Sequence, residues 1–325
     1  MTPAGDLLKF TWRRLKADPP LVSLCRWLRF ALIAIYLPKR MSNKRVATSL
    51  AKGGLIETKV LGHPMLVDSR DPGISTDLLL DGIREPMMTE IMQREIHYGD
   101  VVVDIGANIG YYVLQESRLV GDKGRVFAIE PVQSNLKLLG QNLVLNRVKN
   151  TIAYRCAVGD RNGESQMGIS SHRNLCSVNG NGKRGHIGYE KVSMTTLDDF
   201  MRDKPWPQMV RMDVEGYEVE VLRGMTRMLQ SGKPLKMFIE VHFDILGPLR
   251  TLELMGTLRQ AGFRVAGAVF EPHAALRHTK WASWVARGLE RGMGATGKTA
   301  LELKDLCRPE FTSGQVEYLE VLFER

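Results

Sequence analysis

The sequence holds little that would secrete it, staple it with metal or thread it through a membrane. Its four cysteines, Cys25, Cys156, Cys176 and Cys307, are far apart and form no CxxC pair. A disulfide framework and a structural zinc site are therefore not expected, and a reduced, cytoplasmic protein is the simplest reading. Long apolar runs are missing too. FALIAIYL, Phe30 to Leu37, is eight residues long, where a bilayer-spanning helix needs roughly 20. Asp6 and Asp18 precede that run and no A-x-A-like site follows it, which argues against a signal peptide. Internal repeats and low-complexity tracts are absent as well.

What is present is ordinary in bulk and basic in balance. In 325 residues, 44% apolar and 25% charged, the chain can bury one substantial core. The net charge of +9 suits an anionic partner without choosing between nucleic acid, phosphorylated substrate and acidic membrane. Much of it gathers early, with Arg13, Arg14, Lys16, Arg26, Arg29, Lys39 and Arg40 interleaved with Trp12, Trp27 and Tyr36. Residues 1–45 thus read as a basic amphipathic arm. Through residues 12–45 it either packs on the body with a solvated basic face or touches a membrane surface peripherally.

After the arm, residues 46–100 read as a small cap of short strands with a helix over Pro86–Glu95. From Val101 to the last residue, apolar runs alternate with helical patterns, as in a parallel α/β sheet. The strand candidates are 101–105, 125–130, 151–158, 209–214, 236–242, 263–270 and 316–324, with helices expected over 133–146 and 214–229. A basic, glycine-containing insertion at 271–315 divides the last two strands. The expected fold class is α/β: a doubly wound, Rossmann-like sheet of seven strands, mostly parallel, with an antiparallel last strand.

The first strand runs into a glycine turn, VVVDIGANIG. A dinucleotide fingerprint, G-x-G-x-x-G, started at Gly106 would need glycines at 108 and 111. Asn108 and Tyr111 stand there, so a pyrophosphate has no clear place. Asp104, Gly106, Asn108 and Gly110 instead fit D-x-G-x-G-x-G with asparagine in the middle, a residue that tolerates left-handed backbone angles. Glu130 ends the second strand, where an acid accepts both ribose hydroxyls of a nucleoside. The bland alternative is that it caps the helix beginning near Pro131.

The ordered set DIGANIGYY, AIEP, AVGD (Ala157–Asp160), RMDVEGYEVEVL (Arg211–Leu222) and IEVH (Ile239–His242) resembles the FkbM-like family of class I methyltransferases. The resemblance spans about residues 60–245 plus the final strand. It implies an S-adenosyl-L-methionine-dependent enzyme that methylates a hydroxyl of a saccharide, glycan or similar metabolite. It also implies that Asp104 and the turn from Gly106 through Asn108 to Gly110 hold the methionine part, that Glu130 takes the ribose, and that Ala157 and Val158 border the adenine. Carboxylates such as Asp104 and Asp213 suit the cofactor's cationic ammonium and sulfonium. Arg211 departs from the family's common lysine, which keeps charge and alters geometry.

Methyl transfer needs alignment, exclusion of water and removal of a hydroxyl proton, not a covalent nucleophile. Such groups belong at the carboxyl ends of the strands. Asp213 ends the fourth strand, and Glu240 and His242 end the fifth. His242 is the best general-base candidate on its ordinary pKa near 6.5. Glu215, at the strand-to-helix corner, and Glu85, in the cap's G-x-x-E-P, are candidates for the acceptor side. Glu218 and Glu220 read more simply as acids offsetting a helix dipole. The polar segment 170–188 reads as a loop over the acceptor site.

Other readings fare worse. GMGATGKT, Gly292–Thr299, satisfies G-x-x-x-x-G-K-[ST] but follows an amphipathic basic segment rather than a strand, so no P-loop is expected. A nucleic-acid methyltransferase of the base-amino type usually carries (Asp/Asn)-Pro-Pro-aromatic after the fourth strand. Asp-Val-Glu-Gly stands there, and no nucleic-acid partner is expected. No adjacent Asp-Asn pair completes a magnesium site, so no metal is expected either. A non-catalytic protein that keeps the cofactor fold is the remaining alternative.

Overall fold

The computed structural model describes residues 53–71, 73–170, 176–178, 186–269, 302–312 and 316–325. The basic arm, the GMGATGKT segment, most of the 271–315 insertion and much of the 170–188 segment lie outside the described residues. Those described belong to one compact unit. Among them, no helix is long and apolar enough to cross a membrane.

Strands β1 (Leu55–Val60) and β2 (His63–Asp68) form an antiparallel hairpin. Leu61 and Gly62 at its tip both have positive φ, 49° and 82°, as tight two-residue hairpins demand. Helices α1 (Ile74–Asp81) and α2 (Pro86–Glu95) follow, the latter with proline in its first turn, where a missing N–H costs nothing. Met65, Val67, Leu78 and Met88 are buried in the same apolar cluster as one face of the main sheet.

That sheet is built from β3 (Val101–Ile105), β4 (Arg125–Ile129), β5 (Thr151–Tyr154), β10 (Met209–Met212), β11 (Lys236–Val241), β12 (Arg264–Val269) and β13 (Leu319–Glu324), numbered along the chain. Their order is β12-β13-β11-β10-β3-β4-β5. All pairs from β11 to β5 are parallel, and β13 lies antiparallel between β11 and β12. The expected seven-stranded fold with an antiparallel final strand is therefore present. VVVDI is buried on both faces because side chains alternate. Val103 and Ile105 enter one apolar cluster, while Val102 enters the cluster on the other face.

From β3 the chain proceeds outward through α3 (Tyr111–Val120), β4 and α4 (Gln133–Leu145) to β5. It later returns to β3's other side as β10. The reversal makes a crevice at the carboxyl ends of β3 and β10, the usual ligand position in such sheets.

Three details differ from the sequence reading. The run 151–158 is two strands, because only β5 pairs with β4. β6 (Ala157–Val158) joins a separate sheet with β7 (Gly163–Ser170), β8 (Ser177–Val178) and β9 (His186–Thr195), in the order β6-β9-β7-β8. The described parts of 170–188 are thus strand ends rather than loop alone. After α5 (Leu197–Phe200), the helix expected over 214–229 is split into α6 (Glu218–Arg223) and α7 (Thr226–Gln230). Gly224 sits at the break, where a Cβ would lie 1.9 Å from the Gly159 carbonyl oxygen. α8 (Phe243–Gln260) bends at Gly247, whose φ is 67°, just before Pro248. A 3-10 turn, Asp305–Cys307, and α9 (Pro309–Thr312) precede β13.

Candidate active site

One cross-strand row of the sheet reads Ala128, Asp104, Arg211, Phe238, Leu322, each the partner of the next. Two residues further along each strand, on the same face, come Glu130, Gly106, Asp213, Glu240 and Glu320, of which Glu240 and Glu320 are direct partners. The ladder continues beyond the parallel strands' formal ends: Gly106 N–H donates to Ile129 O at 3.0 Å and Asp213 N–H to Ile105 O at 3.0 Å. The carboxyl edge of the sheet is therefore a row of acids interrupted by one glycine. Gly106 has φ 87°, and a Cβ there would sit 1.9 Å from the Asp213 carbonyl oxygen.

A pocket of about 550 Å³ opens over the β3–β4 half of this edge. Gly106, Asn108, Glu130, Ala157, Val158, Asp213 and Glu215 all line it. Ile129, Met167 and Val178 give it an apolar wall. Among the described lining residues three are acids, and none is lysine or arginine. Glu130 is the fixed point. It is 4% exposed, and it accepts from Asn108 N–H and Val132 N–H at 2.8 Å each. Asn108 holds the left-handed φ of 50° that the turn requires. Burial raises the Glu130 carboxyl to about 7, against the lowering effect of those backbone bonds.

Asp104, Gly110, Glu85, Glu240 and His242 do not line this pocket. Gly110 caps α3 at φ 90° and packs against Leu139. Asp104 is fully buried and accepts from Arg211 Nη1 at 2.9 Å, so it does not face the pocket as the methionine-binding expectation required. Arg211 also reaches Asp213 Oδ2 at 3.3 Å, and its guanidinium lies 4.1 Å from the centre of the Tyr112 ring. The arginine thus ties a buried carboxylate to one that faces the pocket, which a lysine cannot do with the same fork.

His242, at the end of β11, is 5% exposed. Its Nδ1–H donates to Glu218 Oε1 at 2.7 Å. Nε2 lies 3.6 Å from Glu215 Oε2 and 3.5 Å from Glu240 Oε1. Burial alone would lower the imidazole, but Glu215, the Glu218 bond and Glu240 outweigh it and raise it well above its ordinary value. A histidine held protonated is a poor proton acceptor, so the base argument from an ordinary pKa fails here. Glu240 is raised well above the carboxylate range, by burial first and then by Asp213 and Glu320. Glu215 occupies a left-handed φ of 50°, a costly geometry typical of functional corners.

The cap closes the other flank. Glu85, at φ 45° and 5% exposed, pairs with Arg84 Nε at 2.7 Å and accepts from the Tyr112 hydroxyl. Several participants escaped the sequence reading. Glu218 is a fully buried partner of His242 rather than a dipole-offsetting acid; Glu220 does pair outward, with Arg250 at 2.8 Å. Glu320 and Tyr318 arrive from the far end of the chain, Tyr318 stacking near His242 with ring centroids 6.3 Å apart. Asp213, Glu215 and His242 bring ligand-type atoms within 4.8 Å of one another, where no metal was expected.

Residues 104–265 match the methyltransferase FkbM domain model. The hexuronic acid methyltransferase AglP of Haloferax volcanii is 30% identical over 164 residues, covering 50% of this chain and 64% of AglP. Methyltransferase 1 of Beauveria bassiana is 26% identical over 144 residues, covering 38% of this chain and 57% of that protein. The chain therefore spans less than two thirds of the length of either relative. Among solved structures, fibrillarin of Aeropyrum pernix with bound S-adenosyl-L-methionine matches with a TM-score of 0.37 at 14% identity, covering 70% of this chain and 82% of that one. The motif order first read from the sequence and the matched segment coincide: this chain belongs to the FkbM family of methyltransferases.

Proposed function

We propose that the protein is an S-adenosyl-L-methionine-dependent O-methyltransferase whose acceptor is a hydroxyl of a saccharide, glycan or similar hydroxylated metabolite. The observation that carries the cofactor is the pocket's charge: among the described residues, Glu130, Asp213 and Glu215 line it and no lysine or arginine does. Such a lining disfavours a phosphate chain and suits a cationic, phosphate-free nucleoside. When bound, the cofactor would supply an electrophilic methyl group, which passes in line to an acceptor oxygen as the sulfur–methyl bond breaks and the neutral thioether leaves.

The chain's own residues then have separable tasks. Glu130, pinned by two backbone N–H groups, keeps lone pairs for ribose hydroxyls. Ala157 and Val158, with Ile129 and Met167, form the apolar border for the adenine. Asp213 faces the cationic methionine part, and Asp104 acts on it through Arg211 rather than by contact. On the acceptor side, Glu85, Glu240, Glu320 and Tyr318 offer oxygens to hydroxyl donors. Glu240, beside His242 at the end of β11, is the carboxylate placed to take the acceptor's proton. His242 orients that carboxylate from 3.5 Å away. The AglP relative, named for methylating a hexuronic acid, supports a saccharide acceptor.

The test is incubation with methyl-labelled S-adenosyl-L-methionine and a panel of free and lipid-linked glycans. Label is expected in the saccharide. Absence of cofactor binding by calorimetry would overturn the reading. His242→Gln is expected to keep cofactor affinity within about threefold while kcat drops by about 10²-fold, the scale of a lost acid–base partner.

A further inference from the structure

We propose that Asp213, Glu215 and Nε2 of His242 form a site for a hard divalent cation of the Mg²⁺ or Mn²⁺ class, beside the cofactor pocket. One ligand atom from each lies within 4.8 Å of the others. The three come from two strand ends and the corner between β10 and α6, so the fold rather than local sequence brings them together.

The histidine is prepared as a ligand. Its Nδ1–H is given to Glu218 Oε1 at 2.7 Å, and Glu218 is itself fully buried. A carboxylate behind the ring fixes its orientation, the usual second support of a metal-binding histidine, and a cation at Nε2 would displace the proton that the ligand-free ring holds there. Around Nε2 stand Glu215 Oε2 at 3.6 Å and Glu240 Oε1 at 3.5 Å. These separations are long for hydrogen bonds and suit oxygens gathered about a shared cation.

An independent observation points the same way. Glu320 is 1% exposed, its Oε1 has no hydrogen-bond partner, and it stands directly across the strand pair from Glu240. By strand alternation, Glu240, His242 and Glu320 share one face. The charges in this corner are Asp213, Glu215, Glu218, Glu240 and Glu320, with Glu85 from the cap. Facing them are His242, Arg211, which is already shared with Asp104, and Arg84, which is paired with Glu85. Buried carboxylates in such excess are costly without a counter-charge, and a divalent ion supplies it. Oxygen ligands with one imidazole and no thiolate select a hard ion over zinc or copper.

The site is also open on the correct side. The Asp213 and Glu215 side chains are 21% and 13% exposed, and both line the pocket. Remaining coordination positions therefore face the space beside the cofactor. Resting on the function proposed above, neighbouring hydroxyls of the acceptor would fill them. A bound ion would make a hydroxyl it held more acidic, with Glu240 standing beside it.

The test is Mn²⁺ titration of the full chain, without cofactor or acceptor, followed by calorimetry and by loss of the free-ion electron paramagnetic resonance signal. One saturable site per chain is expected, with Mg²⁺ competing. Asp213→Asn, Glu215→Gln and His242→Gln should each weaken it at least tenfold. Glu253→Gln, which removes a surface partner of Arg223, should not change it. Circular dichroism identifies any variant that fails to fold, and the others then decide. No saturable Mn²⁺ binding at millimolar concentration, or binding that survives all the folded ligand variants, overturns the site. Mn²⁺ binding with no methyl transfer to any glycan would leave the site standing and remove the acceptor reading. Methyl transfer unaffected by a chelator, with no Mn²⁺ binding, would do the reverse.

Discussion

Glu130→Gln separates cofactor recognition from mere shape, because the two side chains have nearly the same volume. The carboxylate accepts from Asn108 N–H and Val132 N–H, both at 2.8 Å. An amide has a single oxygen, so one of these donors must face an NH₂ group. A hydrogen bond from a ribose hydroxyl to the charged carboxylate contributes about 1.5–3 kcal/mol, and about 1.4 kcal/mol is a factor of ten in affinity. Calorimetry should therefore find S-adenosyl-L-methionine binding weakened by about ten- to a hundredfold at pH 8.

The pH dependence sharpens the test. The Glu130 carboxyl is raised to about 7 in the ligand-free chain, and hydroxyl donors from a ribose favour its ionised form. Its pKa in the complex is then lower, so affinity rises with pH up to about 7 and levels off above. The effect on stability has the opposite sign. With the folded pKa above the unfolded one, ionising Glu130 costs the ligand-free fold stability as pH climbs from the ordinary carboxylate range toward about 7. In Glu130→Gln this limb of the binding profile should vanish. Affinity within twofold of the parent, or an unchanged pH limb in the variant, would refute the assignment of Glu130 to the ribose.

Three further outcomes follow from tightly packed groups. Arg211→Met leaves Asp104 without its partner and should cost about 3–5 kcal/mol in urea unfolding; a loss under about 1 kcal/mol would mean that the buried pair does little. Glu116 is fully buried, neither carboxyl oxygen has a hydrogen-bond partner, and burial with nearby Asp104 raises it well above the carboxylate range. Glu116→Met should raise the melting temperature, because an unsatisfied buried polar group costs about 1–3 kcal/mol; a fall would show that the carboxyl has a partner worth keeping. Gly106→Ala puts a Cβ 1.9 Å from the Asp213 carbonyl at φ 87°, so cofactor binding should be lost with or before folding, read by calorimetry and circular dichroism on the same sample.

Local pattern made the main sheet legible. VVVDI, RVFAI and KMFIEV are short, β-rich apolar runs, and each became the expected strand within a residue or two. Gly106, Asn108, Glu130, Ala157 and Val158 came together around one pocket because spacing along strand–turn–helix units fixes their positions. The smaller sheet was hidden because GESQMGIS and HIGYEKVSMT are polar and mix glycine into strands, a composition that reads as loop. The pairings Arg211–Asp104, His242–Glu218 and Glu240–Glu320 join residues on different elements. Their chemistry depends on which strands become neighbours, and no local periodicity carries that information. The same reason hid the upward shift of His242, to which Glu215 and Glu218 after β10 contribute together with Glu240 on its own strand.

Synthesis proceeds from the N-terminus, and the position of β13 gives that direction a consequence. β12 has β13 as its neighbour in the sheet, and β13 is made long after it. Until residues 319–324 emerge, β12 has no strand to join and β11 presents a bare edge, the kind of surface on which other chains pair. Glu320 and Tyr318 travel with that late strand. The nascent protein can therefore assemble the Glu130 pocket well before Glu320 and Tyr318 come to stand beside Glu240 and His242.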